Sequence, residues 1–331
     1  MTEPGAVKLT AEDRATAEEG RSSVPLLGAI NNWFFAPVDA RAYAAFRIGY
    51  AAATACVLLD LWRLRHTLIG HASMIDNAGG HWVRAPINCF LWVQSSPTGV
   101  SLLLGIALLA CLLLGLGIGV RLSALVLWVY QVSLGAAVLP AYSGFDAVLR
   151  VLAIVVLISP TSSVWTVRAR DGERPPTKLP RYGLRLIQWQ FLLIYTSTVW
   201  LKAPDIFWRS GEAVAYFSMS MFARIPGAHL ANWPAVYTFL TWSTLIVEAA
   251  IPWLMWKRST RLLGLVLGLS LHFGISLMSK IGLFAVVMAP MYMAFLEARD
   301  FEAISAWLSK SAGLWRRFRI SRRDGPNADT D

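Results

Sequence analysis

The chain has 331 residues, 56% of them hydrophobic and only 15% charged, with a formal net charge of +10. A soluble domain of this length carries more charge and fewer apolar runs, which excludes a water-soluble globular fold. The basic excess reads as membrane topology, and nucleic acid binding is not expected, because no basic stretch interleaves with aromatics on a soluble module.

Residues 1–25 are polar and mixed in charge, which predicts a disordered tail. They lack the short apolar core of a cleavable signal peptide. Segment 26–40 is aromatic but too short to span, so it is expected to lie on the membrane interface. Asp39 is placed to cap the first span.

Residues 41–297 are expected to form the transmembrane domain. Apolar windows predict eight spans at about 41–62, 99–118, 121–140, 145–165, 183–203, 234–256, 261–279 and 282–297. The fold class is therefore all-α, a polytopic integral membrane helical bundle. Helical character is expected to run past residue 62, because Trp62-Arg63-Leu64-Arg65-His66 has no breaker. Glycines 105, 115, 117 and 119 are expected to let spans two and three approach closely. Trp62, Trp165, Trp200, Trp208, Trp233 and Trp256 fall near span ends, as interfacial belts require.

Charge sets the expected orientation. Arg121, the basic stretch 168–185, Lys257-Arg258-Arg261 and the tail 298–331 collect on one side of an eight-span chain. The positive-inside rule makes that side cytoplasmic, with both termini. The long loops 63–98 and 204–233 then lie outside the cytoplasm of a bacterial inner membrane. Part of the tail, 301–318, has the makings of an amphipathic helix on an anionic leaflet, so membrane lipid is an expected partner.

No metal is expected. Cys56, Cys89 and Cys111 show no C-x-x-C spacing, and His66, His71 and His81 have no ligand spacing.

Ionisable groups within spans each cost about 2.5–3.5 kcal/mol on insertion scales and need a reason. The candidates are Arg47, Asp146, Arg150, Lys202, Glu248 and His272. Asp146 and Arg150, four apart, share a helix face and read as ionic glue between helices. Glu248 is either a carboxyl bonded to a neighbouring helix or to Arg47, or a protonatable group lining a cavity. His272 is either a satisfied buried histidine or a proton carrier. Lys202 ends an apolar segment two residues before Pro204. It either snorkels to the interface or sits desolvated as a base.

Several motifs carry a resemblance. Phe35-Ala36-Pro37 leads to Phe46-Arg47-Ile48-Gly49; Tyr195 stands seven before Lys202; Trp208 and Gly211 follow. With Glu248-Ala249-Ala250-Ile251-Pro252, His272-Phe273 and Lys280-Ile281-Gly282-Leu283-Phe284, this set resembles the membrane domain of vitamin K-dependent gamma-carboxylase. Its bacterial relatives are the HTTM domain proteins. The likeness covers about residues 33–297.

The resemblance implies that Lys202 is the base that deprotonates reduced vitamin K or menaquinone. Oxygen then gives an epoxide through a strongly basic intermediate, coupled in the carboxylase to carbon dioxide addition on a glutamate side chain. Tyr195, Trp208, Asp146, Arg150, Glu248 and His272 become the expected pocket, and a secreted or membrane peptide an expected partner. The chain departs from the carboxylase at Gly144-Phe145-Asp146, where the carboxylase has an asparagine–histidine pair. The carboxylase also continues into a large lumenal domain, where the spans of this sequence are expected to lead into the basic tail 298–331. The competing reading is a non-catalytic membrane accessory or transporter-like protein in peptide maturation or export.

Overall fold

The computed structural model describes residues 25–69, 87–93, 96–137, 143–160, 164–167, 176–227, 229–230, 232–280 and 283–323. The expected disordered tail, most of loop 63–98 with His71 and His81, the arginines of 168–175 and the last residues of the basic tail lie outside these.

Helix α1 (Pro25–Phe35) leaves Leu26, Leu27, Ile30 and Phe35 exposed. Its Trp33 ring stacks on Trp256 at 6.3 Å. Strand β1 (Pro37–Asp39) follows and pairs antiparallel with β2 (Lys178–Pro180), Val38 opposite Leu179. This clip was not foreseen, because three residues carry no readable period.

Helix α2 (Ala40–Leu68) is the central element. Asp39 caps it as expected, accepting from the Arg41 main-chain N at 2.8 Å and from the Arg41 guanidinium at 2.6 Å. That bond holds the Asp39 carboxyl below its ordinary range. A depressed folded value contributes stability above the unfolded pKa, and this is lost as pH falls through the folded value. Asp39→Ala is therefore expected to cost about 0.5–2 kcal/mol near neutral pH. It should also flatten the acid limb of the unfolding temperature against pH; an unchanged acid limb would argue against the cap.

The buried face of α2 runs Tyr43, Phe46, Arg47, Tyr50, Thr54 and Leu58, at helical spacing. The helix continues to Leu68, as the unbroken sequence past residue 62 predicts. Tyr43 Oη donates to the Pro180 carbonyl at 2.6 Å and accepts from the Gly183 N–H at 3.0 Å. A side chain at Gly183 would run into Ser159 and the Tyr43 ring, so glycine permits this three-way junction.

After α3 (Phe90–Val93), helix α4 (Pro97–Leu116) starts on a Ser96 cap and packs along α2. It ends at Gly117, whose φ of 76° turns the chain into α5 (Val120–Ala137). The glycines of this hairpin serve the turn more than helix contact. Gly119 also has positive φ, and a Cβ at Gly105 would meet nothing within 4 Å.

Helix α6 (Gly144–Ile158) packs on α5, and α7 (Tyr182–Lys202) follows β2. Short α8 (Ile206–Ser210) and α9 (Ala213–Met219) lead to α10 (Pro234–Trp256). A 3-10 turn, Arg258–Thr260, then opens α11 (Arg261–Met278). The bundle closes with α12 (Phe284–Tyr292), a 3-10 turn Met293–Phe295, and α13 (Ala298–Arg323).

The fold is all-α apart from the clip. Among the described residues, five helices are long and apolar enough to cross a membrane: Ala40–Leu68, Pro97–Leu116, Val120–Ala137, Pro234–Trp256 and Arg258–Met278. The other three expected spans fall short by length or polarity. α6 has 15 residues, about 22 Å of helix against a hydrocarbon core of about 30 Å. α7 carries Arg185, Gln188, Gln190 and Lys202, and Phe284–Phe295 is shorter still.

The bundle has two distinct ends. One gathers α1, the β clip, the α10–α11 turn and Glu297, where Arg258 and Arg261 pair with the carboxylate. The other holds the segment after Lys202, tied to the end of α11 by an Ala223–Ser279 bridge and a Lys280 N–H to Phe222 carbonyl bond of 2.7 Å.

Candidate functional site

The end of α7 builds the site. Ala203 and Pro204 stop the helix, and Asp205 caps α8 by accepting from the Phe207 and Trp208 N–H groups at 2.9 and 3.2 Å. This tight return brings the Trp208 ring back over the side chain six residues earlier. Lys202 Nζ lies 4.6 Å from the Trp208 ring centroid, in cation–π range.

Lys202 meets Glu248 of α10. Its Nζ donates to both carboxylate oxygens at 2.6 Å. The Glu248 side chain is 7% exposed and that of Lys202 24%, so the pair is largely withdrawn from solvent. One turn after Glu248 comes Pro252. Lacking an N–H, Pro252 cannot supply the helix bond that would end on the Glu248 carbonyl. Of the two partners open to Glu248, a neighbouring helix and Arg47, the structure selects the first. Arg47 instead donates to the Trp165 carbonyl at 2.6 Å.

The pair sits in the wall of a cavity of about 460 Å³ between α7, α9, α10 and α11. Its lining is mainly apolar, including Phe217, Val247, Leu271, Ile275 and Met278. Ser243 and Thr244 add hydroxyls whose protons go to the Leu240 carbonyl at 3.1 and 2.8 Å. Each therefore offers lone pairs to the cavity, as acceptors for a ligand O–H.

Behind this wall lies a second polar group. Tyr195 Oη is 2.6 Å from His272 Nε2 and 2.7 Å from Tyr292 Oη. His272 Nδ1 is buried with no hydrogen-bond partner among the described residues. The single Tyr195 proton serves one neighbour while the other neighbour donates, so the trio has two proton arrangements of opposite direction. Gly268 permits the close packing, because a Cβ there would strike Tyr292 Oη.

The structure thus brings Lys202, Glu248 and Trp208 together on the cavity, with Tyr195 and His272 joined in the adjacent layer. Asp146 is used differently. It accepts from Ser143 main-chain N at 2.9 Å and Ser143 Oγ at 3.1 Å, closing the N-terminus of α6. Neither Asp146 nor Arg150 lines the cavity. The sequence reading missed Tyr292, whose only signal was a tyrosine within an otherwise apolar run. It also missed Ser243 and Thr244, which read as ordinary helix residues.

No group of three or more His, Cys, Asp or Glu able to hold a metal ion occurs among the described residues.

The family model of the HTTM domain matches residues 35–299, a range that contains every residue of this site. No curated protein and no solved structure matches the chain.

Proposed function

The chain belongs to the HTTM domain family, membrane proteins related to vitamin K-dependent carboxylase, and on that premise we propose that it is an integral membrane enzyme with Lys202 as proton acceptor. The observation that carries this reading is the Lys202–Glu248 pair set in the wall of a cavity of about 460 Å³. Its size and apolar lining fit the ring of a lipid-soluble quinol, since ligand pockets are typically about 300–1,000 Å³. The hydroxyl oxygens of Ser243 and Thr244 are suited to a phenolic O–H.

Glu248, whose two carboxylate oxygens accept from Lys202 Nζ at 2.6 Å, holds that nitrogen at the cavity wall. It stands beside Lys202 as a second acceptor for the proton that Lys202 takes from a phenolic O–H. The ammonium so formed lies over the electron-rich Trp208 ring, which favours the positive charge. A bound quinol would supply the reduced ring that oxygen attacks, as in the related carboxylase. A mainly apolar lining limits the water that would quench a strong base. Both long loops are read as extracytoplasmic, placing the cavity nearer the outer face.

The test is incubation of the reconstituted protein with reduced menaquinone or vitamin K, oxygen and bicarbonate, followed by mass spectrometry. Quinone epoxide is the expected product, and carbon dioxide added to a co-purified peptide would extend the likeness to carboxylation. No epoxide from any quinol tried would remove the enzymatic reading.

A further inference from the structure

The opposite end of the bundle carries a second pocket, of about 260 Å³, between the start of α7, the α10–α11 turn and the segment Ala294–Glu297. Four guanidiniums line it, Arg181, Arg185, Arg258 and Arg261, against the single carboxylate of Glu297. That carboxylate is shared: Arg261 Nη1 lies 3.0 Å and Arg258 Nη1 3.5 Å from its oxygens. Asp300, just outside, stands 3.9 Å from Arg261. Among the described residues, neither Arg181 nor Arg185 has a carboxylate within ion-pair distance.

Arg185 is built into place. Its Nε donates to the Trp33 carbonyl at 3.3 Å and its Nη1 to Gln188 Oε1 at 2.7 Å. The Cζ lies 4.2 Å from the Trp33 ring centroid and 5.7 Å from that of Trp256. Gln188 is fixed in turn by donating to the Ala294 carbonyl at 2.8 Å. A stacked guanidinium with an uncommitted Nη2 is a preformed half of a two-pronged anion contact.

We propose that this pocket binds a phosphate-bearing anion, with the headgroup of an acidic phospholipid as its source. The charge excess demands an anion, and guanidiniums from separate elements suit the several oxygens of a phosphate better than the two of a carboxylate. The setting favours a lipid. Trp33, Trp189 and Trp256 form one aromatic group at this end, and α1 beside it exposes Leu26, Leu27 and Ile30. Such a belt marks headgroup level, and basic pockets between helices are headgroup sites on general grounds. The volume admits a headgroup and leaves acyl chains outside.

The experiment uses the full chain in mild detergent, stripped of lipid. Native mass spectrometry measures retention of phosphatidylglycerol, cardiolipin and phosphatidylcholine; thermal unfolding is followed separately with inorganic phosphate alone. The acidic lipids should be retained on the order of tenfold more than phosphatidylcholine, a preference of about 1.4 kcal/mol. Arg181→Gln with Arg258→Gln should erase that preference, while Glu297→Gln, which removes the one negative group, should strengthen it. Stabilisation by inorganic phosphate that the arginine variant loses would support the anion site with soluble phosphate as its source. Equal retention of acidic and zwitterionic lipid without any phosphate effect would overturn the proposal. So would a preference that survives Arg181→Gln with Arg258→Gln.

Discussion

Lys202→Met is expected to abolish quinol-dependent turnover and to destabilise the bundle, because it leaves Glu248 charged and alone in an apolar wall. Breaking a fully buried pair from one side costs about 3–5 kcal/mol, and the 24% exposure of Lys202 puts this case at the lower end. Two further variants separate chemistry from support. Lys202→Met with Glu248→Leu removes both charges, so the unfolding temperature should return close to that of the parent while turnover stays lost. Lys202→Arg keeps a cation for Glu248 and should preserve stability. It should still lose on the order of 10²–10⁴-fold in turnover, because arginine does not release its proton. Thermal unfolding in detergent and epoxide yield are the two measurements. Full turnover in Lys202→Arg would reduce Lys202 to an anchor, and an unrescued double variant would mean that the pair is not a closed unit.

The second large effect is expected at the Tyr195 group. Gly268→Ala forces a methyl against Tyr292 Oη and the tyrosine ring edge, in a layer where both helices are already in contact. Overpacking of this kind costs about 1–3 kcal/mol. Tyr195→Phe acts by another route. It strands His272 Nε2 and Tyr292 Oη together, about 1–3 kcal/mol for each buried group left unsatisfied. Tyr292→Phe should be milder, since Tyr195 keeps its bond to His272. Combining Gly268→Ala with Tyr292→Phe removes the hydroxyl from the clash and should recover part of the loss. Unfolding temperatures check the series, and nitrogen chemical shifts of labelled His272 report its tautomer. An unchanged His272 signal in Tyr195→Phe would show that the two side chains do not share a proton.

Much of the architecture was legible in the chain. Long apolar windows are required wherever a backbone must satisfy itself in lipid, so the helical class and the strongest spans were readable without a fold. Asp39 announced its cap because capping is a contact with the next few residues. Trp208 likewise returns to Lys202 through a local turn. The weaker spans were harder. α7 mixes Arg185 and Gln188 into its apolar face because those two groups are satisfied within the bundle, which dilutes the periodic signal. The three-residue clip and the use of Gly117 and Gly119 for the turn depend on partners that no short window contains.

The sequence by itself determined which groups had to be explained: a lysine, a glutamate and a histidine in segments where charge is expensive. It also supplied the order of motifs that places the chain in its family. Only the tertiary structure decided how they combine. Lys202 and Glu248 are 46 positions apart and Tyr195 and His272 are 77 apart. Their meeting depends on how α7, α10 and α11 rotate against one another, which is set by packing over whole helix faces. Asp146 instead closes its own helix through Ser143, three positions before it, while Arg47 finds the Trp165 main-chain carbonyl 118 positions away. An ionisable residue in an apolar segment states that a partner exists; the fold chooses the partner, because the cost of desolvation is met by whichever group the packed helices bring within reach.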